Sequence, residues 1–223
     1  IGFVNVLREE ETSKKHRNYL DIINTSGETL LSIINDILDF SKLRSGEFTV
    51  EPKHFSIHEE ISHTLELFVA SASSKNITIV SFIDPMIPGE IYADALRIKQ
   101  VISNFLSNAI KFTPEGGRIV VEASCKDKKL RISVSDSGVG ISQKDQKLIF
   151  SAFTQTYDKT LDFTSGTGLG LSISKQLASL MNGDVYVKSK LGEGSTFCLD
   201  VPVKVDSYNC NILENFVLVQ KIS

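Results

Sequence analysis

Cysteine is scarce, and badly placed for either of its usual jobs. Cys125, Cys198 and Cys210 are odd in number, far apart, and form no CxxC pair. That excludes a disulfide framework and points to a reducing, cytoplasmic compartment. The four histidines, His16, His54, His58 and His63, do not join the cysteines at metal-ligand spacing, so no Cys/His metal cluster is expected. Long apolar runs are missing too, since nothing approaches the roughly 18 residues a membrane span needs. Neither sign of charge dominates. A net charge of −3 gives no electrostatic reason to expect nucleic acid or an anionic membrane as partner. Ile1 falls inside a helical pattern, with no initiator Met and no signal peptide. The chain therefore reads as an excerpt, with any membrane anchor lying elsewhere in a parent protein.

What remains is an ordinary globular composition over 223 residues, 41 % hydrophobic and 23 % charged, enough for one large domain or for one domain plus an appendage. From about Asn18 to Leu43 the apolar residues Leu20, Ile23, Leu30, Ile34, Ile37 and Leu38 recur in steps of three, four and seven. Such steps predict one stripe of a bundle helix. Ile1 to Leu7 carries a shorter pattern of the same kind, so residues 1–46 read as a helical hairpin with a truncated first arm. Ser45-Gly46 closes the second helix.

From Glu47 strands and helices alternate. Phe48–Val50 reads as a strand, and Ser56-Ile-His-Glu59 as a capping box opening a helix to about Ser74. Ile77–Ile83 is a strand, and Asp94 caps a helix through about Phe112. Arg118–Ser124 and Leu130–Asp136 form a strand pair around Lys126-Asp127-Lys128. A helix from Leu169 to Met181 precedes the strands Asp184–Lys188 and Ser195–Val203. The pattern predicts an α/β (α+β) two-layer sandwich over residues 47–203, one mixed sheet with helices on one face. Residues 204–223 read as a linker or the start of another domain. There, Phe216-Val-Leu-Val219 is either the first strand of that domain or an extra edge strand.

Chemistry concentrates on three stretches. On the helix after Asp94, Gln100, Asn104, Asn108 and Lys111 fall within an arc of about 80°, away from Ile102, Phe105, Leu106 and Ala109. A solvated face would more naturally use Glu or Lys than Asn, a poor helix former. Amide oxygens and an ammonium in line fit a hard cation beside a phosphate. Ser135-Asp136-Ser-Gly138-Val-Gly140 puts a carboxylate at a strand end before two glycines. Read as more than a turn, it is a base pocket: the carboxylate accepts from an exocyclic amine, and the glycines let backbone approach a flat ring. Adenine suits that carboxylate; guanine's carbonyl does not. Gly166-Thr-Gly168-Leu-Gly170 opens a helix at its positive end, a place for phosphates. No Gly-Lys-Ser/Thr follows, so it is not a Walker loop, and no strand precedes it as a Rossmann fingerprint needs.

In order, the chain carries Asn104-Phe-Leu-Ser-Asn108-Ala-Ile-Lys-Phe112, Asp136-Ser-Gly-Val-Gly140, Phe150-Ser-Ala-Phe153-Thr-Gln155, Gly166-Thr-Gly-Leu-Gly170 and Gly192-Glu-Gly-Ser-Thr-Phe197. Together these resemble the N box, glycine boxes and F box of sensor histidine kinases of the hybrid type. Asp39-Phe-Ser-Lys-Leu-Arg-Ser-Gly-Glu47 resembles the end of that family's dimerisation hairpin. The resemblance implies the Bergerat fold shared with gyrase and MutL, ATP or ADP with Mg²⁺ as ligand, a homodimer through the hairpin, and a response-regulator receiver domain as partner. It implies Mg²⁺ on Asn108 supported by Asn104, and Lys111 on a phosphate. It also implies the adenine amine on Asp136 with water-mediated help from Thr196, and Gly138 and Gly140 lining the base. Gly166, Thr167, Gly168, Leu169 and Gly170 would wrap the phosphates, and Ser142–Ser165 would be a lid anchored by Phe150 and Phe153.

The sequence departs from its relatives in three places. Hydrolytic members place a Glu where Asn104 stands, and an amide cannot activate water, which favours phosphoryl transfer over hydrolysis. The lid has Asp162 near the place of a usual Arg, leaving Lys159 as the candidate cation for the γ-phosphate. The family's His-Glu-x-Arg-Thr-Pro acceptor segment does not occur; the resemblance places it about three helical turns upstream of Ile1. His16 is followed by Arg17 rather than an acid, and His54, His58 and His63 read as surface or packing residues. A serine kinase of the same fold and a regulatory module without kinase activity are the alternatives. The hairpin argues against the first, and only Asp162 leans toward the second.

Overall fold

The computed structural model describes residues 13–154 and 167–205. Its first element, α1 (Lys14–Ser45), is a single 32-residue helix. Gly46 ends it in the left-handed region at φ 74°, a conformation that favours glycine. Lys42 and Arg44 sit in the last turn, where positive charge meets the carbonyl end of the helix dipole. The proposed first arm of the hairpin lies outside the described residues.

The rest is a two-layer sandwich. β1 (Lys53–Phe55) pairs antiparallel with β3 (Ile91–Ala93) as a small separate sheet. The main sheet holds β2 (Thr78–Ile83), β4 (Arg118–Lys126), β5 (Lys129–Asp136), β6 (Asp184–Lys190) and β7 (Gly194–Pro202), in the order β2-β4-β5-β7-β6. Only β2 and β4 run parallel, so the sheet is mixed, as expected. The helices α2 (Ile57–Glu66), α3 (Val69–Ser73), α4 (Ala95–Phe112), α5 (Gln143–Gln146) and α6 (Gly170–Leu180) complete it.

Alternation along the strands decides what is buried. Val121, Ile132, Val134, Leu199 and Val201 face the helices and meet Ile57, Ile61, Ile98, Phe105 and Leu177 in one core. The opposite sheet face carries Glu122, Arg131, Tyr186 and Lys188. There the guanidinium of Arg131 grips Asp200 with two bonds of 2.7 Å.

Two expectations need correction. Phe48–Val50 is not a strand: Phe48 lies under the Arg97 guanidinium at 4.2 Å, and pairing begins only at Lys53. Its apolar residues pack on the core without a partner strand. The helix opened by Ser56, whose hydroxyl accepts from the Glu59 N–H at 3.3 Å, does not run unbroken to Ser74. It tightens at Leu67 and Phe68, whose N–H groups reach Thr64 and Leu65, three residues back, and α3 follows from Val69. β1, β3 and α5 carried too little pattern to be read from sequence. The expected strand Phe216–Val219 lies outside the described residues.

Candidate functional site

α4 exists because Asp94 caps it and seven apolar residues line its inner face. The Asp94 carboxylate accepts from the Arg97 N–H at 3.1 Å and, with its other oxygen, from the Glu51 N–H at 2.8 Å. Ile98, Val101, Ile102, Phe105, Leu106, Ala109 and Ile110 are buried. That rotation leaves Gln100, Asn104, Asn108 and Lys111 half-buried along the other side.

The amides on this face are engaged one by one. Gln100 Nε2 donates to Asp39 on α1 at 2.7 Å. Asn104 Nδ2 donates to Ser174 Oγ on α6 at 2.8 Å, and Asn108 Nδ2 donates to Asn104 Oδ1 at 3.3 Å. The start of α6 comes so close that a side chain on Gly170 would collide with the Asn104 amide. Desolvation holds Lys111 below its ordinary lysine range.

Asp136 ends β5 pointing into the helix layer. Its Oδ1 accepts from the Gly138 N–H at 2.8 Å, and a Cβ on Gly138 would stand 2.6 Å from both that oxygen and the Phe112 carbonyl. Gly140 sits at φ +70° with the Lys190 carbonyl against it, so glycine is required there on both conformational and steric grounds. Burial raises the Asp136 carboxyl above its usual range, opposed by backbone bonds from Gly138 and Ser195.

The loop before α6 brings a hydroxyl to α1. Thr167 Oγ1 donates to Asp36 of α1 at 2.7 Å and accepts from the Leu169 N–H at 3.1 Å. Gly168 packs on Phe153 and Thr154, and the Phe153 N–H donates to the Gly168 carbonyl at 3.0 Å. The Phe153 ring meets Phe40 of α1 edge-on at 5.8 Å. Asp36, Asp39 and Phe40, spaced three and four residues apart on one face of α1, thus touch the loop before α6, α4 and Phe153.

The structure therefore joins Asn108 and Asn104 to the start of α6 at Gly170, and sets Asp136 and Gly138 against the end of α4 one residue beyond Lys111, while Gly140 packs on Lys190, Thr167 bonds Asp36 and Gly168 packs on Phe153. Thr196 does not join them. Its cross-strand partner is Ser135, hydroxyl to hydroxyl at 2.9 Å, whereas Asp136 is opposite Ser195. Successive residues of a strand face opposite sides, so Thr196 looks away from the helices and Ser195 looks toward Asp136. Leu169 contributes backbone only, because its side chain is 1 % exposed in the core. Phe153 turns its ring to α1. Lys159 and Gly166 lie outside the described residues. Asp36, Asp39, Ser174 and Ser195 escaped the sequence reading; of these, Ser195 could have been found by counting strand parity back from the buried Phe197. His16, His54 and His63 are exposed, and desolvation lowers the half-buried His58. No group of three or more His, Cys, Asp or Glu able to hold a metal occurs among the described residues. No helix among them is long and apolar enough to cross a membrane.

Residues 93–205 match the family described as histidine kinase-, DNA gyrase B- and HSP90-like ATPase, and residues 1–46 match the His Kinase A (phospho-acceptor) domain. The chain belongs to the former family. It is 38 % identical over 205 residues to the sensor histidine kinase GacS of Pseudomonas protegens, covering 90 % of this chain and 22 % of that protein. It is 40 % identical over 203 residues to RcsC of Salmonella typhimurium, covering 91 % and 21 %. The chain thus spans about a fifth of the length of these relatives. Among solved structures, full-length ShkA in complex with AMPPNP superposes with a TM-score of 0.77 at 32 % identity, covering 93 % of this chain and 43 % of that one. Histidine kinase ThkA in complex with the response regulator TrrA does so with 0.67 at 28 %, covering 90 % and 55 %.

Proposed function

We propose that this chain binds ATP with Mg²⁺ and hands the γ-phosphate to a histidine upstream in its parent sensor kinase, which then serves the receiver domain of a response regulator. The observation that carries the reading is Asp136 at the end of β5, pointing into the helix layer and held with Gly138 against the Phe112 carbonyl at the end of α4, the helix that carries the amide row. The carboxylate accepts from adenine's amine, the two glycines let the chain fold tightly beside it against the Phe112 and Lys190 carbonyls, and Ser195 is the hydroxyl opposite it across the strands. The N-terminus of α6 and Lys111 supply positive potential for the phosphates. The donor set suits a hard divalent cation riding on a nucleotide: the Asn108 amide oxygen is neutral, and the phosphates complete the shell. Such an ion would neutralise phosphate charge. This chain's own residues bind, orient and shield.

In the transfer, the bond between the γ-phosphorus and the bridging oxygen breaks, ADP leaves, and a phosphorus–nitrogen bond forms on the imidazole. The ring's proton passes to an acidic neighbour of the acceptor histidine. Asn104 offers no base for water, so hydrolysis is disfavoured against transfer. Residues 1–46 form the hairpin part, 47–203 the catalytic domain, and the bonds of Asp39 and Asp36 seat one on the other.

Radiolabelled ATP tests the reading. Residues 1–223 should bind ATP in preference to GTP and acquire no acid-labile phosphate. A longer chain carrying the upstream His segment should be labelled, by itself and by this fragment in trans. Equal binding of ATP and GTP would overturn the base pocket, and a silent longer chain would overturn the kinase.

A further inference from the structure

An asparagine amide has one accepting end and one donating end, and only the oxygen end can ligate a hard cation. Something must therefore set which way Asn108 faces. The structure chains the two amides of α4 to one hydroxyl. Asn108 uses its nitrogen on Asn104 Oδ1, and Asn104 uses its nitrogen on Ser174 Oγ. Each amide spends its donating end inside the chain, so the end of Asn108 left outside it is the carbonyl oxygen. Ser174 is a fixed anchor: it sits on α6 one turn beyond Gly170 and is 2 % exposed. The bare backbone of Gly170 is what lets α6 approach near enough for the bond, since any side chain there would strike the Asn104 amide.

We propose that Ser174 is a positioning residue for metal binding, holding the Asn108 amide through Asn104 with its oxygen toward the cation. This rests on the Mg²⁺–nucleotide reading above. Without the hydroxyl, Asn104 is free to turn its oxygen away, and Asn108 to present an NH₂ group that repels the cation. Groups that orient a ligand from behind typically change metal affinity 10–100-fold. Loss of Ser174 is therefore expected to weaken the Mg²⁺-supported part of nucleotide binding by about tenfold, the lower end of that range, because Asn108 itself survives.

The experiment is calorimetry with AMPPNP on the 223-residue chain, in Mg²⁺ and in EDTA, for Ser174→Ala, Ser174→Thr and Asn108→Ala. Side-chain amide spectra of Asn104 and Asn108 provide a second readout. Ser174→Ala should lose affinity in Mg²⁺ but not in EDTA, keep the wild-type melting temperature, and shift both amide signals. Ser174→Thr, which restores the hydroxyl, should return both signals and affinity toward wild type. If Ser174→Ala matches wild type in both media, or loses equally in both, the inference is overturned while the metal reading stands. If Asn108→Ala keeps full Mg²⁺ dependence, the metal reading fails and takes this inference with it.

Discussion

Asp136 is held in a state that favours binding over comfort: burial penalises its charge, and two backbone N–H groups offset only part of that penalty. The neutral acid is favoured by the fold, while adenine's amine needs the ionised acceptor. Nucleotide affinity should therefore fall as pH drops through a pKa raised above 3.8, and calorimetry over a descending pH series would show it. The folded-state pKa lies above the unfolded one, so ionised Asp136 costs stability at neutral pH and acidification relieves that cost. Asp136→Asn should accordingly lose nucleotide binding and its pH dependence, yet melt no lower than wild type. A second prediction separates two neighbouring hydroxyls. Ser195→Ala should weaken ATP binding roughly fivefold, about 1 kcal/mol, the usual worth of one hydrogen bond. Thr196→Ala, on the other sheet face, should leave it within error; the reverse result would return the role to Thr196.

Among the elements, those with strong periodicity or a cap were legible, and those defined only by a partner were not. α4 was visible twice over, in the Asp94 cap and in the separation of its apolar and amide faces. Gly46 likewise marked the end of α1. β1 and β3 have three residues each and exist through pairing with one another, which no local pattern announces. The placing of Asp36 and Asp39 against Thr167 and Gln100 joins residues 131 and 61 positions apart. Such contacts depend on how α1 seats on the domain, and nothing in either segment encodes that alone. Thr196 was misplaced because a motif fixes spacing, while strand parity fixes the face. Asp94 shows what a cap with two duties is worth. Asp94→Ala removes the cap of α4, a loss of about 1 kcal/mol, and strands the Glu51 N–H, a further loss of about 1–2 kcal/mol. Urea unfolding should show a combined loss of about 2–3 kcal/mol. Asp94→Ser, able to keep only the cap, should lose about half as much. Equal losses for the two variants would show that the Glu51 bond carries the effect.

At the scale of the whole molecule, α1 is unevenly covered. Its last turns lie on the catalytic domain through Asp36, Asp39, Phe40 and Leu43. Away from that contact face, Ile22, Ile23, Leu30, Leu31, Ile34, Ile37 and Leu38 are all between 44 % and 61 % exposed. A helix of 32 residues is about 48 Å long, and one with an apolar stripe along it gains little from propensity alone. Its stability comes from burying that stripe against another helix. A second copy of this chain supplies an identical stripe, and a two-fold pairing would let each cover the other. Dimerisation through α1 is therefore expected, and weakly, since the seam is a single pair of helix stripes. Sedimentation or light scattering should give a mass that rises with concentration. Leu30→Glu with Ile34→Glu should hold the chain monomeric, because each copy would bring two charges into the middle of the seam. The same double variant should leave ATP affinity unchanged, since Leu30 and Ile34 take no part in the cleft and the catalytic core is built without them. A wild-type chain that stays monomeric at every accessible concentration would sink this reading. A dimer indifferent to both charges would place the seam elsewhere.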